Sequence, residues 1–140
     1  MSISALFDRL GAPLHNDRYS WGAVRADGTV ILRVWQDETG KIDGKRCVQI
    51  TNHDFFQGKV PNLGYEERNR HIDLIRVGAR CWMIMCEQVQ PPRVPREIYQ
   101  FNGNELFVGG ALIEQAGETW IEWVDRIPIE SVTRRMRFVP

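Results

Sequence analysis

The sequence predicts an α+β fold with a bent, mainly antiparallel sheet, and three observations predict it. A chain of 140 residues, 43% hydrophobic and 26% charged, suits one globular domain over 1–140 that needs no disulfide staple. Two turn signals, Asp27-Gly28 and Ala116-Gly117, each stand between apolar runs. One long helical pattern, over residues 63–77, separates the early strands from the late ones. The order is a short helix, two or three strands, a helix, and four or so strands. That order suits a strongly bent sheet closing into a small barrel with two or three flanking helices.

Taken in order, residues 4–10 form the short helix. Ser4 caps it, Leu6, Phe7 and Leu10 make its apolar stripe, and Gly11 with Pro13 ends it. Strands over 21–25 and 29–36 flank Ala26-Asp27-Gly28. Val30, Leu32 and Val34 share one face of the second strand, and Ile31, Arg33 and Trp35 the other. Residues 37–45 read as a polar loop and 46–51 as a third strand. Residues 52–63 are irregular, broken at Gly58 and Pro61, and Phe55-Phe56 needs a packing surface.

Asn62 caps the long helix, and Glu66 and Glu67 in its first turn suit the helix dipole. Tyr65, Ile72 and Ile75, with Leu74 beside them, make its apolar face, and Gly78 ends it. Residues 79–89 are apolar on both faces, with Trp82, Ile84 and Cys86 on one and Cys81, Met83 and Met85 on the other, as in a central strand. After a proline-broken loop, 96–101 is a strand. Residues 105–108 read as a short strand or helical turn, and Gly109-Gly110 as a bulge or turn. Residues 112–115 and 119–125 form the second hairpin, and Pro128 ends the sheet.

Composition excludes several functions. The formal net charge is zero, so charge alone announces neither nucleic acid nor membrane. Arginine outnumbers lysine, 15 to 3, which suits bidentate contacts to phosphate or carboxylate but equally reflects codon usage. The three cysteines form no C-x-x-C pair, and Cys81 and Cys86 point to opposite faces of one strand. An odd cysteine count without a framework fits a reducing compartment. With no apolar stretch of signal-peptide or transmembrane length, the expectation is a soluble, cytoplasmic protein with no membrane partner. No metal-ligand spacing, nucleophile elbow or phosphate loop occurs, so neither catalysis nor a cofactor nor a metal is expected.

The aromatic pattern remains. Trp21 starts the first strand of the opening hairpin and Trp35 ends the second, so pairing through the turn brings both to one end, beside Tyr19. Two readings stay open: both are plain core residues, or they are walls that sandwich a flat ring while Ser20, Asp37, Asn52 or His53 reads its polar edge.

The stretches YSWGAVRADGTVILRVWQDE, QITNHDFF, RHIDLIRVGARCWMIMCEQV and GETWIEWVDRIPI resemble small bacterial domains found alone or in front of HNH-type nucleases. They are also similar to the PUA-like superfamily, which includes EVE, ASCH, YTH and SRA domains. The resemblance implies a PUA-like barrel with an aromatic-walled pocket for a modified or flipped base in nucleic acid, DNA before RNA. It places Trp21 and Trp35 as pocket aromatics, Asp37 and His53 at the base edge, and Ser20, Asn52 and Tyr19 nearby. It draws the backbone-binding surface from Arg18, Arg25, Arg33, Arg134, Arg135 and Arg137. The implied role is the specificity part of a restriction or defence system, with a nuclease partner to cut, since no HNH motif is present.

Two other classes fit the same residues. One is a protein-binding regulator or inhibitor in phage–host conflict, which matches the neutral charge and the Met and Trp content. The other is a small-molecule enzyme using Asp37 or His53 as general base.

Overall fold

The computed structural model describes residues 1–56 and 62–133. The elements in order are α1 (Ile3–Arg9), β1 (Gly22–Val24), β2 (Val30–Trp35), a 3₁₀ turn (Gln36–Glu38), β3 (Thr39–Ile42), β4 (Lys45–Gln49), α2 (His53–Phe56), α3 (Leu63–Arg76), β5 (Cys81–Gln88), β6 (Ile98–Phe101), β7 (Glu105–Gln115), β8 (Glu118–Pro128) and α4 (Ile129–Thr133). The class is α+β and the sheet is mainly antiparallel, as expected. Its order is β1-β2-β5-β7-β8-β4-β3, with β6 also pairing β5. The one parallel pairing described joins β2 to β5, from Val30 opposite Cys81 to Trp35 opposite Cys86.

The expected barrel does not form: the sheet is open, with β1 and β3 as its two ends. No ladder joins β1 to β3, and Arg68 of α3 links backbone from the two halves of the sheet instead. Its Nη1 donates to the Ile50 carbonyl, just beyond β4, at 2.8 Å. Its Nη2 donates to the carbonyls of Arg33 in β2 at 2.6 Å and of Trp21, just before β1, at 3.2 Å. One guanidinium thus serves three carbonyls, of which that of Trp21 also accepts from the Arg33 amide at 2.8 Å.

The core has two layers, one on each face of the sheet. Leu6, Phe7 and Leu10 around α1 pack with Ile31, Trp82, Ile84, Cys86 and Leu106, and Ile129 of α4 joins them. On the other face Ile72 and Ile75 of α3 pack with Val30, Leu32, Val34, Val48, Met83 and Ile121. β5 contributes to both layers, which is why it reads as apolar on both faces. Cys81 and Cys86 fall in opposite layers, as the strand period requires.

Several boundaries differ from expectation. Ser2, not Ser4, caps α1: its Oγ accepts from the Ala5 amide at 3.1 Å. Asn62 caps α3 as expected, its Oδ1 accepting from the Tyr65 amide at 2.9 Å. The polar stretch after Trp35 is not a loop but a 3₁₀ turn and a hairpin, β3–β4, turning through Asp43 (φ 50°) and Gly44 (φ 79°). Its first strand is exposed at Thr39, Gly40 and Lys41, so no apolar alternation announced it. β7 is one strand of 11 residues rather than two segments. Gly109-Gly110 is the bulge within it, where the register with β8 shifts. The second hairpin turns at Ala116 (φ 53°) and Gly117 (φ 78°), the two left-handed residues of a tight hairpin turn. Leu74 is exposed rather than part of the helix's packed face.

Candidate functional site

α3 organises the candidate site because its buried face is largely polar. Beside Ile72 and Ile75, that face holds Gly64, Glu67, Arg68 and His71. These positions are the i−3 and i−4 neighbours of one another, so one stripe carries all of them to the sheet.

At the start of α3, an aromatic group forms outside both core layers. The Trp21 ring lies 5.1 Å from that of Phe56, and Phe56 stacks on Tyr65 at 5.3 Å with planes 26° apart. Phe55 meets Phe56 edge-on at 4.9 Å. Tyr65 Oη and His53 Nδ1 are hydrogen-bonded at 2.6 Å. Gly64 lets the helix seat directly on Trp21: a Cβ there would lie 2.5 Å from Trp21 Cε2 and 2.5 Å from the Tyr19 carbonyl oxygen. The Arg68 guanidinium stands 5.9 Å from the Trp21 ring, tied to the three carbonyls described above.

Trp35 lies elsewhere. It packs on the α1 face of the sheet, against the layer that holds Ile31 and Cys86. Arg96 and Arg33 approach its ring at 5.1 and 5.8 Å. Asp37 belongs to this second group: it accepts from Arg96 Nη1 at 2.8 Å and from the Gln88 amide. Glu38, 3.7 Å from Arg96, has its carboxyl pushed up by burial. Trp21 with His53 and Trp35 with Asp37 are thus two separate groups, because Trp21 precedes β1 and turns toward α3 instead of following the strand's alternation.

The remaining expected residues are placed as follows. Ser20 is buried and donates to Glu67 Oε2 at 3.0 Å, while its Oγ accepts from the Asn16 amide at 3.0 Å. The Asn52 carbonyl accepts from the Phe56 amide at 3.2 Å. The His53 amide donates to Glu118 Oε1 at 2.8 Å, and Tyr19 meets His15 edge-on at 6.2 Å. Among the expected backbone-binding arginines, Arg18 is exposed, while Arg25 lies over Trp82 at 4.9 Å and pairs with Asp27 at 3.6 Å. Burial lowers the pKa of Arg33, which is inside the fold rather than on a binding surface. Arg134, Arg135 and Arg137 lie outside the described residues.

The sequence reading missed Phe56, Tyr65, Glu67, Arg68 and His71 as site residues, with Tyr65 taken for the packed face of the helix. For three of them a signal existed: Arg68 is four positions before Ile72, His71 four before Ile75, and Glu67 four before His71. Among the described residues no three His, Cys, Asp or Glu side chains are grouped to hold a metal, and no helix is long and apolar enough to cross a membrane. Comparison with protein families, curated proteins and solved structures finds no match for this chain.

Proposed function

We propose that this chain is a non-catalytic binding module and that its ligand-facing part is the aromatic group of Trp21, Phe56, Tyr65 and His53. The carrying observation is that these rings lie together outside the two core layers, with Trp21 seating the start of α3 and the other rings extending from it. Rings of this kind take a flat partner by stacking, and the His53–Tyr65 pair supplies a polar edge beside them. The ligand proposed is a modified or flipped base in nucleic acid, DNA before RNA, with any cleavage supplied by a partner nuclease. Trp35 is not part of this surface.

The test is a fluorescence titration with duplexes that differ only in one methylated cytosine, one methylated adenine, or neither, at fixed salt. Saturable binding that prefers one duplex, is lost in Phe56→Ala and is kept in Trp35→Ala supports the reading. Absence of binding to every duplex, or binding unchanged in Phe56→Ala, overturns it.

A second reading, a protein partner, is favoured by one observation. Phe55 and Leu63, on the two helices that carry the aromatic group, are 41% and 53% exposed. A stoichiometric protein captured from nuclease-treated lysate, and lost in Phe55→Ser, would replace the base reading with this one.

A further inference from the structure

A second site lies one turn further along α3. Leu14 and His15 on one side, Gly22 and Val24 of β1, and Glu67 and His71 of α3 line a cleft of about 510 Å³. Glu67 and His71 are four residues apart on one helix face and only 5% and 8% exposed. One carboxylate oxygen of Glu67 accepts from Ser20, but the other, Oε1, is buried without a hydrogen-bond partner among the described residues. His71 Nδ1 is likewise buried and unpartnered. Arg68, next to Glu67 in the chain, brings a nearby positive charge but no hydrogen bond: its Nη groups go to the carbonyls of Ile50, Trp21 and Arg33, and its Nε is itself buried without a partner among the described residues.

The backbone adds further acceptors. The Trp21 carbonyl accepts from Arg33, and the Arg25 amide donates to Thr29, so 21, 23 and 25 face β2. Alternation then turns the peptide groups of Gly22 and Val24 outward, along the unpaired edge of β1 and beside the cleft. A neighbouring groove of about 380 Å³ shares Leu14 and His15 and is lined by Asp8 and Asp17, which extends the acidic character. A buried carboxylate oxygen with no donor calls for a cationic donor, and an ammonium brings three N–H groups with its charge.

We propose that this cleft binds the primary ammonium group of an aliphatic amine, with Glu67 as counter-ion and His71 as a second acceptor. The amine comes either from a free diamine, whose second end reaches toward Asp8 and Asp17, or from a lysine side chain. The site is independent of the aromatic group: none of Trp21, Phe56 or Tyr65 lines it, and either proposal can fail without the other.

The test uses the full chain and NMR signals of the Gly22 amide and the His71 imidazole. Putrescine, an N-acetylated and C-amidated Gly-Lys-Gly peptide, and 1,4-butanediol as the uncharged analogue are titrated separately. Saturable shifts with an amine and none with the diol are expected, and Glu67→Gln weakens the binding by at least about tenfold. Tighter binding of putrescine assigns a free amine, and tighter binding of the peptide assigns lysine. The proposal is overturned if neither amine saturates, if the diol acts as the amines do, or if a folded Glu67→Gln binds unchanged. Should Glu67→Gln fail to fold, the amine-against-diol comparison on the natural chain decides.

Discussion

Arg68 Nη2 donates to the carbonyl oxygen of Arg33 at 2.6 Å and ties α3 to β2. The contact joins the helix to β2, and its companion bond to Ile50 reaches the chain just beyond β4. Burial, together with the nearby Arg33 charge, brings the Arg68 pKa down to about 10, so it still carries its charge at neutral pH. Hydrogen bonds from a charged donor contribute about 1.5–3 kcal/mol each, and buried carbonyls left unpaired add to the loss. Arg68→Lys keeps the charge but not the planar fork. It is expected to lower stability by on the order of 3 kcal/mol in urea unfolding. A loss under about 0.5 kcal/mol would mean that other contacts hold α3 to β2 and β4.

His71 makes stability depend on pH. Burial first, then the charges of Arg68 and Arg70, push its imidazole from 6.5 down to about 4. Between those values the unfolded chain binds a proton that the folded chain does not. The folded state therefore keeps this contribution in full above pH 6.5 and loses it as pH falls toward 4. The span corresponds to on the order of 3 kcal/mol. In His71→Gln this slope should vanish, so the stability difference between the two proteins shrinks or reverses from about pH 7 to about pH 4.5. Parallel curves for the two proteins would contradict it.

Gly64→Ala sets two effects against each other. Helix propensity favours alanine by about 1 kcal/mol. Against that, the new Cβ would stand 2.5 Å from both Trp21 Cε2 and the Tyr19 carbonyl, and the carbonyl is backbone that cannot swing away. Overpacking of this kind costs about 1–3 kcal/mol, so the variant should be less stable and its Trp emission altered. A gain in melting temperature would show that α3 does not seat on Trp21 as described.

The cysteines should be silent in the native state. All three are buried and free, and burial pushes Cys81 and Cys86 up to about 12. With the thiolate population cut by roughly a thousandfold, maleimide or iodoacetamide labelling should be slow and should speed up only on unfolding. Mass spectrometry of the native protein after brief exposure checks this. Rapid modification of Cys81 or Cys86 would contradict it, as both are buried in the core.

Local elements were legible where their cause is local. Asn62 names the start of α3, and Asp27-Gly28 and Ala116-Gly117 name two turns, because capping and left-handed turns depend on a few adjacent residues. The apolar run around Met83 names the central strand because burial on both faces removes any reason for polar alternation. Asp43-Gly44 carries the same turn chemistry, but its exposed flanking strand lacks the alternation that would mark it.

By itself, the sequence determined the class of fold, the central strand, the long helix and the hairpin that holds Trp21. Tertiary structure alone decided that the sheet stays open, that Trp21 and Trp35 part company, and which partners Glu67, Arg68 and His71 meet inside. The reason is that these three outcomes turn on contacts between residues far apart in the chain. Ser20 meets Glu67, and Arg68 meets Ile50 and Arg33. A charged side chain reads as surface until the fold supplies the partners that let it be buried.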